Sequence, residues 1–412
     1  MDSILNPSQH CGIRGHTIFK AIANIRDTAA YAEYSGSKLC IVSLDFKSAF
    51  DNITHSYLFT LLETYGFSTQ IRKYIQDMYT NVTSSVMING HTSRPIPIKC
   101  AVRQGCPLNT QLFAIYLDPL ITNLEKVLTP VHIGRRTVQT TVLAYTDDVT
   151  LIVTSPHDIP KIKQALDHYA AASGARINIQ NSKAMAVGSW DTAIDILDIK
   201  YHTEMKILGT HFTATVRQST YKSWSAVTGR IRSMARDAYY RELCFDKRIL
   251  YVHNYLLGAA LYTAQIFPMP DVCIRQVNSA IAWYIWRGDI FRVPLSTLQQ
   301  QKWRGGWDFL NVAAKSRALF FHRLWRQSKD AGSLTSERLR KWNLTAAYIN
   351  PPHIRSNPAT LDYMRQYAKD TARIAPQEQS ESNVAYKRRI YNTMSTLFNT
   401  TTDIPEMRIV RL

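Results

Sequence analysis

Thr141-Val-Leu-Ala-Tyr-Thr-Asp-Asp-Val-Thr-Leu-Ile-Val153 sets two adjacent aspartates, Asp147 and Asp148, in a tight connection between two β-rich runs, residues 137–144 and 149–153. Side chains alternate faces along a strand, so neighbouring acids in such a turn cannot both lie idle on one surface. Asp is also an ordinary turn residue, so the pair gains meaning only from what can reach it. A second apolar run, Leu39-Cys-Ile-Val-Ser-Leu-Asp-Phe46, reads as a buried strand and carries Asp45 near its end. A carboxylate there is costly unless it is paired or binds a cation.

If the Asp45 strand lies beside the 137–153 hairpin, three carboxylates converge and repel one another unless metal ions neutralise them. Oxygen-only ligation suits Mg2+, which binds a few carboxylates together with substrate phosphates. A two-metal site of this kind activates a hydroxyl and stabilises a leaving pyrophosphate. The chain between Asp45 and Asp147 leaves room for the elements that would bring them together. Helices are predicted over 54–65, ending near Gly66, and over 69–80. Two strands, 82–89 and 95–102, are predicted around the Asn89-Gly90 turn signal. A long helix from Pro107 carries Leu112, Tyr116, Leu120 and Leu124 at spacing four.

Further out, residues 15–34 form a helical pattern with Ile18, Ile22, Ile25 and Ala29 on one stripe. Ser155-Pro156-His157-Asp158 is a helix start, with a capping serine, a proline at the first helical position and an acid three residues on. That helix should end at Gly174. Strands are expected near 184–187 and 206–212. Beyond about residue 215 the pattern is mostly helical, basic and rich in Trp and Tyr. Residues 350–358 break it, and the segment after them is polar.

The chain has 412 residues, 45% hydrophobic and 19% charged, which suits two or three folded domains. Its net charge of +18, from 49 Lys and Arg against 31 Asp and Glu, favours a polyanionic partner, nucleic acid first. Six scattered cysteines form neither a C-x-x-C pair nor a zinc-spaced cluster, and are read as reduced thiols. No secretory signal opens the sequence. The uncharged stretch between Arg248 and Asp271 is interrupted by His253, Asn254, Gln265, Pro268 and Pro270, so a buried helix is expected there and not a membrane span. The expected setting is intracellular, nucleus or cytoplasm, with no membrane and no secretion.

The ordered motifs resemble those of non-LTR (LINE-type) retrotransposon reverse transcriptases. Leu44-Asp-Phe-Lys-Ser-Ala-Phe-Asp51, with His55 after it, resembles the first palm motif. Arg103-Gln-Gly-Cys-Pro-Leu108, with Leu112-Phe113 and Pro119-Leu120, resembles the second, and Ala144-Tyr-Thr-Asp-Asp148 the third. Gly174-Ala-Arg-Ile-Asn178 with Asn181-Ser-Lys183 resembles the fourth, and Ile207-Leu-Gly209 the fifth. Arg103 where retroviral and group II intron enzymes usually carry Pro points to the non-LTR group. Downstream, Ala282-Trp-Tyr-Ile-Trp-Arg-Gly288 and Gly305-Gly306 resemble the helical region behind the thumb.

The resemblance implies an α+β fold: a right-hand polymerase palm, an antiparallel sheet with packed helices, followed by a mostly helical thumb and C-terminal region. The implied domains are a palm with residual fingers (1–206), a thumb (207–275), a helical post-thumb region (276–330) and a polar helical tail (331–412). The implied activity is RNA-directed DNA polymerisation with two Mg2+ ions, or Mn2+ in their place, on an RNA template, a DNA primer and deoxynucleotides. Asp45, Asp147 and Asp148 would hold the metals with the backbone carbonyl of Phe46. Phe50 would exclude a 2′-hydroxyl, the alternative being a core aromatic. Gln104 and Gly105 would contact nucleotide and template, and Tyr145 would pack beside the primer end. Lys183 would protonate pyrophosphate, or be a solvated lysine. Arg103, Lys222, Arg230, Arg232, Arg236 and Arg241, with Lys247 and Arg248, would carry charge for a nucleic-acid backbone, or form a solvated face. Thr146 stands where alanine is commoner. The family's fingers precede a segment like Gln9–Gly12, so an N-terminally truncated element is expected, with a silent nucleic-acid-binding remnant as the alternative to an active enzyme.

Overall fold

The structure is a computed structural model, and it describes residues 4–329 apart from 14, 99, 103, 104, 134, 135, 139, 140 and 289–292. Arg103, Gln104 and the tail 331–412 lie outside the described residues. The chain forms two compact units: Met1–Ala21 with Ser35–Leu208, and Ile22–Tyr34 with Gly209–Leu412.

Helix α1 (Ile18–Ser35) ends where Gly36 takes a left-handed φ of 66°. It is more deeply buried than its apolar stripe implies: Asn24, Arg26, Asp27 and Thr28 are buried along with Ile22, Ile25 and Ala29, whereas Ile18 is only half-buried. Strand β1 (Lys38–Leu44) follows. Next come α2 (His55–Thr64) and α3 (Thr69–Tyr79), the latter capped by Ser68, whose side chain accepts from the Ile71 N–H.

Strands β2 (Thr83–Ser84), β3 (Met87–Ile88), β4 (His91–Thr92) and β5 (Ile96–Pro97) form one hairpin. The expected return strand at 95–102 starts earlier, at His91, because Asn89 and Gly90 supply the two positive φ values (50° and 83°) of a tight primed turn. Helix α4 (Asn109–Val127) has Pro119 inside it, and β6 (Val131–Ile133) pairs with β7 (Arg136–Val138).

Strands β8 (Val142–Tyr145) and β9 (Asp148–Val153) lead to a 3-10 turn at Pro156–Asp158 and helix α5 (Ile159–Ser173). Ser155 caps as its position suggests, accepting from the His157 N–H. Asp158 does not complete a capping box. It is buried and accepts instead from the Thr129 N–H at 2.7 Å, with Lys161 at 3.3 Å. The unit closes with β10 (Lys183–Gly188) and β11 (Glu204–Ile207).

The central sheet is antiparallel in the order β10-β1-β9-β8. Its register pairs Val42 with Leu151 and Leu44 with Val149, so these side chains share one face. That face packs with Leu112, Tyr116, Leu120 and Leu124 of α4 and Ile162, Ala165 and Tyr169 of α5 into a single core. Alternation therefore sends the neighbours of Leu44 and Val149, including Asp45 and Asp148, to the other face. An antiparallel sheet backed by helices is an α+β architecture.

The second unit holds β12 (Thr210–Thr213), α6 (Val216–Tyr239), α7 (Phe245–Tyr251), α8 (Gly258–Ala264), α9 (Asp271–Ile285), α10 (Leu295–Leu298) and α11 (Val312–Lys329). The uncharged stretch falls on α8 and a π-helical turn at Val252–Leu256. Among the described residues no helix is long and apolar enough to cross a membrane. Ser219 and Ser223 of α6 accept from the N–H groups of Thr213 and His211, and buried Trp224 donates its indole N–H to the Phe267 carbonyl at 3.1 Å. Arg26 and Asp27 form a buried ion pair at 3.0 Å, and the guanidinium also donates to the Ile266 carbonyl.

Candidate active site

The β8–β9 hairpin closes on the pair Tyr145 and Asp148, leaving Thr146 and Asp147 as its two-residue connection. Thr146 has φ of 57°, at the first of the two positions, where such turns favour glycine. A β-branched residue there stores backbone strain. One step beyond the last β1–β9 pair, Leu44 with Val149, the register sets Asp45 abreast of Asp148. Asp45 is half-buried, and Asp147 and Asp148 are exposed. The three carboxylates are electrostatically connected. The Asp148 carboxyl lies above the usual carboxylate range, first through desolvation and then through the charges of Asp147 and Asp45.

Asp45 is held by the segment that follows α5. Its carbonyl accepts from the Asn178 N–H at 2.7 Å, and its N–H donates to Ser182 Oγ at 3.0 Å. Its Oδ2 accepts from Asn181 Nδ2 at 3.1 Å. Ser182 Oγ in turn donates to the Asn178 carbonyl at 2.8 Å. Sequence reasoning gave Asn181 and Ser182 no role; the available signal was their place beside Lys183 in the fourth motif.

Phe46 bridges Ile177 in the pattern where the flanking residues make the hydrogen bonds: Lys47 N–H to the Arg176 carbonyl and Asn178 N–H to the Asp45 carbonyl. In that pattern the N–H and C=O of the bridged residue itself point away from its partner. The Phe46 carbonyl is thereby directed to the side of β1 that faces the β8–β9 turn. Lys183 pairs with Ser43, two residues before Asp45, and is exposed on the same face of the sheet.

Phe50 is half-buried against Phe113, with ring centroids 4.6 Å apart. Its carbonyl accepts from the Val102 N–H, the Ile53 carbonyl accepts from Ala101, and His55 Nε2 lies 2.8 Å from the Ala101 carbonyl. The first motif thus anchors the strand entering the second. Gly105 has φ of 86°, and a Cβ added there would meet nothing within 4 Å. Cys106 is half-buried.

Residues 8–10 run beside β8: the His10 N–H donates to the Ala144 carbonyl at 2.7 Å and the Ala144 N–H to the Ser8 carbonyl at 3.0 Å. Burial and the neighbouring Cys11 thiol raise the Tyr145 hydroxyl above its ordinary range. All six cysteines are free.

In the second unit Lys222, Arg230, Arg232 and Arg236 of α6 are exposed, and Arg241 is exposed beyond the helix end, 5.8 Å from the Tyr251 ring centroid. Arg248 differs: it is half-buried, donates to the Ile285 carbonyl and lies over Phe245, so it serves the fold of this unit.

Among the described residues no group of three or more His, Cys, Asp or Glu is placed so that it could hold a metal ion by itself. The side-chain donors at this turn are carboxylate oxygens, a chemistry that suits an ion sharing its shell with substrate phosphates and water better than a thiolate-and-imidazole zinc site.

Residues 4–212 match the family described as reverse transcriptase (RNA-dependent DNA polymerase). The transposon TX1 uncharacterized 149 kDa protein of Xenopus laevis is 34% identical over 217 residues, covering 51% of this chain and 16% of that protein. A Pol polyprotein from a type-1 retrotransposable element R2 of Popillia japonica is 26% identical over 159 residues, covering 37% and 25%. A solved telomerase from Candida albicans, in complex with a TWJ fragment of telomeric RNA, aligns with a TM-score of 0.41 at 11% identity over 66% of this chain and 51% of that one. The chain spans a quarter or less of these two transposon relatives. With half of its length matched, and with relatives of the TX1 and R2 kinds, this chain belongs to the reverse transcriptase (RNA-dependent DNA polymerase) family, among those of non-LTR elements.

Proposed function

We propose that the chain is an RNA-directed DNA polymerase that transfers nucleotides from deoxynucleoside triphosphates to a primer 3′-hydroxyl. The observation that carries this reading is the register of Asp45 beside Asp148, whose carboxyl is raised first by desolvation and then by repulsion from Asp147 and Asp45. Such repulsion is relieved by divalent cations, and Asp45, Asp147, Asp148 and the Phe46 carbonyl would hold them. When bound, two Mg2+ ions would supply charge neutralisation at the attacking hydroxyl and the leaving pyrophosphate.

The chain's own residues do the positioning. Asn178, Asn181 and Ser182 hold Asp45 from three sides, so its carboxylate is preorganised. Phe50, fixed against Phe113, would stand under the sugar and exclude a 2′-hydroxyl. Gly105 and Gln104 would line the nucleotide, with Arg103 and Tyr145 against template and primer. Lys183 would give an Nζ proton to the departing pyrophosphate. The first unit would act as palm. In the second, Lys222, Arg230, Arg232, Arg236 and Arg241 would track the duplex as a thumb through sequence-independent phosphate contacts.

Primer extension on an RNA template with Mg2+ and deoxynucleotides tests this. Extension that disappears in Asp147→Ala supports it. Salt-sensitive RNA binding without any extension would instead favour a catalytically silent nucleic-acid-binding protein.

A further inference from the structure

The hairpin spanning residues 82–98 has no part in the site just described, yet it is built in an unusual way. Its base is secured: the Ile98 N–H donates to the Val82 carbonyl at 2.8 Å, and β2 pairs Thr83 with Pro97 and Ser84 with Ile96. Its tip is equally regular, with Met87 opposite Thr92, Ile88 opposite His91, and the Asn89-Gly90 turn. Between base and tip the register shifts by one residue. Ser85 and Val86 on the outgoing arm face Ser93, Arg94 and Pro95 on the return arm, a bulge that adds twist and leaves Arg94 beside a proline with no N–H to donate.

The apolar residues of this ribbon are displayed and not packed. Met87 is 71% exposed and Ile88 66%, with Val86 and Ile96 each at 51%. Apolar side chains gathered at the end of a projecting ribbon mark an interaction surface. The charge pattern says which kind. No acidic residue occurs between Asp77 and Asp118, while Arg94 and His91 stand exposed on the hairpin among Thr83, Ser84, Thr92 and Ser93. Hydroxyls and an arginine around exposed Met and Ile match what a nucleic acid offers: phosphates for the polar groups and base faces for the apolar ones. With about eight residues per arm at about 3.3 Å each, the ribbon reaches roughly 25 Å, more than half a turn of duplex. Its base is tied to the catalytic segments through the Ala101 and Val102 bonds to Ile53 and Phe50.

We infer that this hairpin is a nucleic-acid wedge: Met87 and Ile88 insert against bases at a junction between duplex and single strand, and Arg94 holds the adjacent phosphate. The inference rests on the polymerase reading for its partner. The test is fluorescence anisotropy with a forked duplex, a blunt duplex and a single strand, the fork carrying 2-aminopurine at its junction. The variants are Met87→Ser/Ile88→Ser, which leaves the turn and the core untouched, and Arg94→Ala.

Losing the two apolar wedge contacts should weaken fork binding by roughly ten-fold, about 1.4 kcal/mol. The 2-aminopurine signal of unstacking should vanish, while single-strand binding stays within about two-fold. Arg94→Ala should weaken all three substrates and lower the salt slope by about one. A double variant that binds and unstacks the fork like the unmodified chain overturns the wedge alone. A double variant that only turns a dimer into a monomer overturns it in favour of a protein interface. Failure of the unmodified chain to bind any of the three substrates overturns the polymerase reading with it.

Discussion

The proposed chemistry turns on single side chains held in opposition to their own preferences. Asp148 is the clearest. Its folded pKa is raised, so between its unfolded value and the raised one the folded state holds the proton more firmly, and stability falls as pH rises through that window. At neutral pH the carboxylate therefore opposes folding. Asp148→Asn should raise the thermal midpoint, on the order of 2 °C given its solvent exposure, while reducing primer extension. Added Mg2+ should stabilise the unmodified chain and should stabilise the variant less, read by the same melting experiment. Asn181 allows a sharper comparison. Its amide donates to Asp45 Oδ2, so Asn181→Ala removes one positioning bond, whereas Asn181→Asp adds a fourth negative charge. Extension should fall further in Asn181→Asp than in Asn181→Ala, and the reverse order would show that charge at this position is immaterial. Asp45, Asp147 and Asp148 stood out in the sequence by residue type and place. Asn181 and Ser182 did not, because a polar residue's donor role toward a distant strand leaves no periodic trace.

Elements reach the site through turns that specific residues permit. Helix α5 ends at Gly174, whose φ is 80°, and a Cβ there would lie 3.1 Å from Thr54 Oγ1. That hydroxyl is committed to the Ser173 carbonyl at 2.7 Å, and the same carbonyl receives the Tyr116 hydroxyl at 2.6 Å. Four residues later the chain donates from Asn178 to Asp45. Gly174→Ala should therefore cost about 1–3 kcal/mol of stability and should also impair extension by shifting the segment that holds Asp45. Gly36→Ala, at a φ of 66° with nothing within 4 Å of the added carbon, should cost less and leave extension nearly unchanged. Urea midpoints and extension rates of the two variants decide this, and equal losses in both would refute the coupling of Gly174 to the site. The helix stop at Gly174 was legible, as were α2, α3 and α4, since each has its own apolar period and boundary residue. The β6–β7 hairpin and the register shift at Arg94-Pro95 were not, because short pairings depend on which backbone groups find partners after folding.

At the scale of the molecule, the first unit carries a buried histidine whose titration should be felt in its stability. His10 is enclosed beside β8, and burial first, then the His16 and Lys20 charges, lower its pKa from 6.5 to about 3. Below 6.5 the unfolded chain takes up a proton that the folded state refuses, so stability is retained above pH 6.5 and lost as pH falls toward 3, by at most about 1.4 kcal/mol per pH unit. A stability–pH profile of His10→Gln should be flatter over that interval, and an unchanged slope would place the acid sensitivity elsewhere. Sequence alone determined the order of motifs, the helices with one apolar face and the net charge of +18, because composition and periodicity are written locally along the chain. It also marked each candidate carboxylate, since an acid at the end of an apolar run is conspicuous by its cost. Only the tertiary structure decided that Asp45 lies abreast of Asp148, that residues 178–182 grip Asp45, and that Arg248 is spent on the Ile285 carbonyl while Arg230 and Arg232 stay exposed. Register and partnership join residues far apart in sequence, and they are chosen by packing and hydrogen bonding across the whole unit, so no local pattern encodes them.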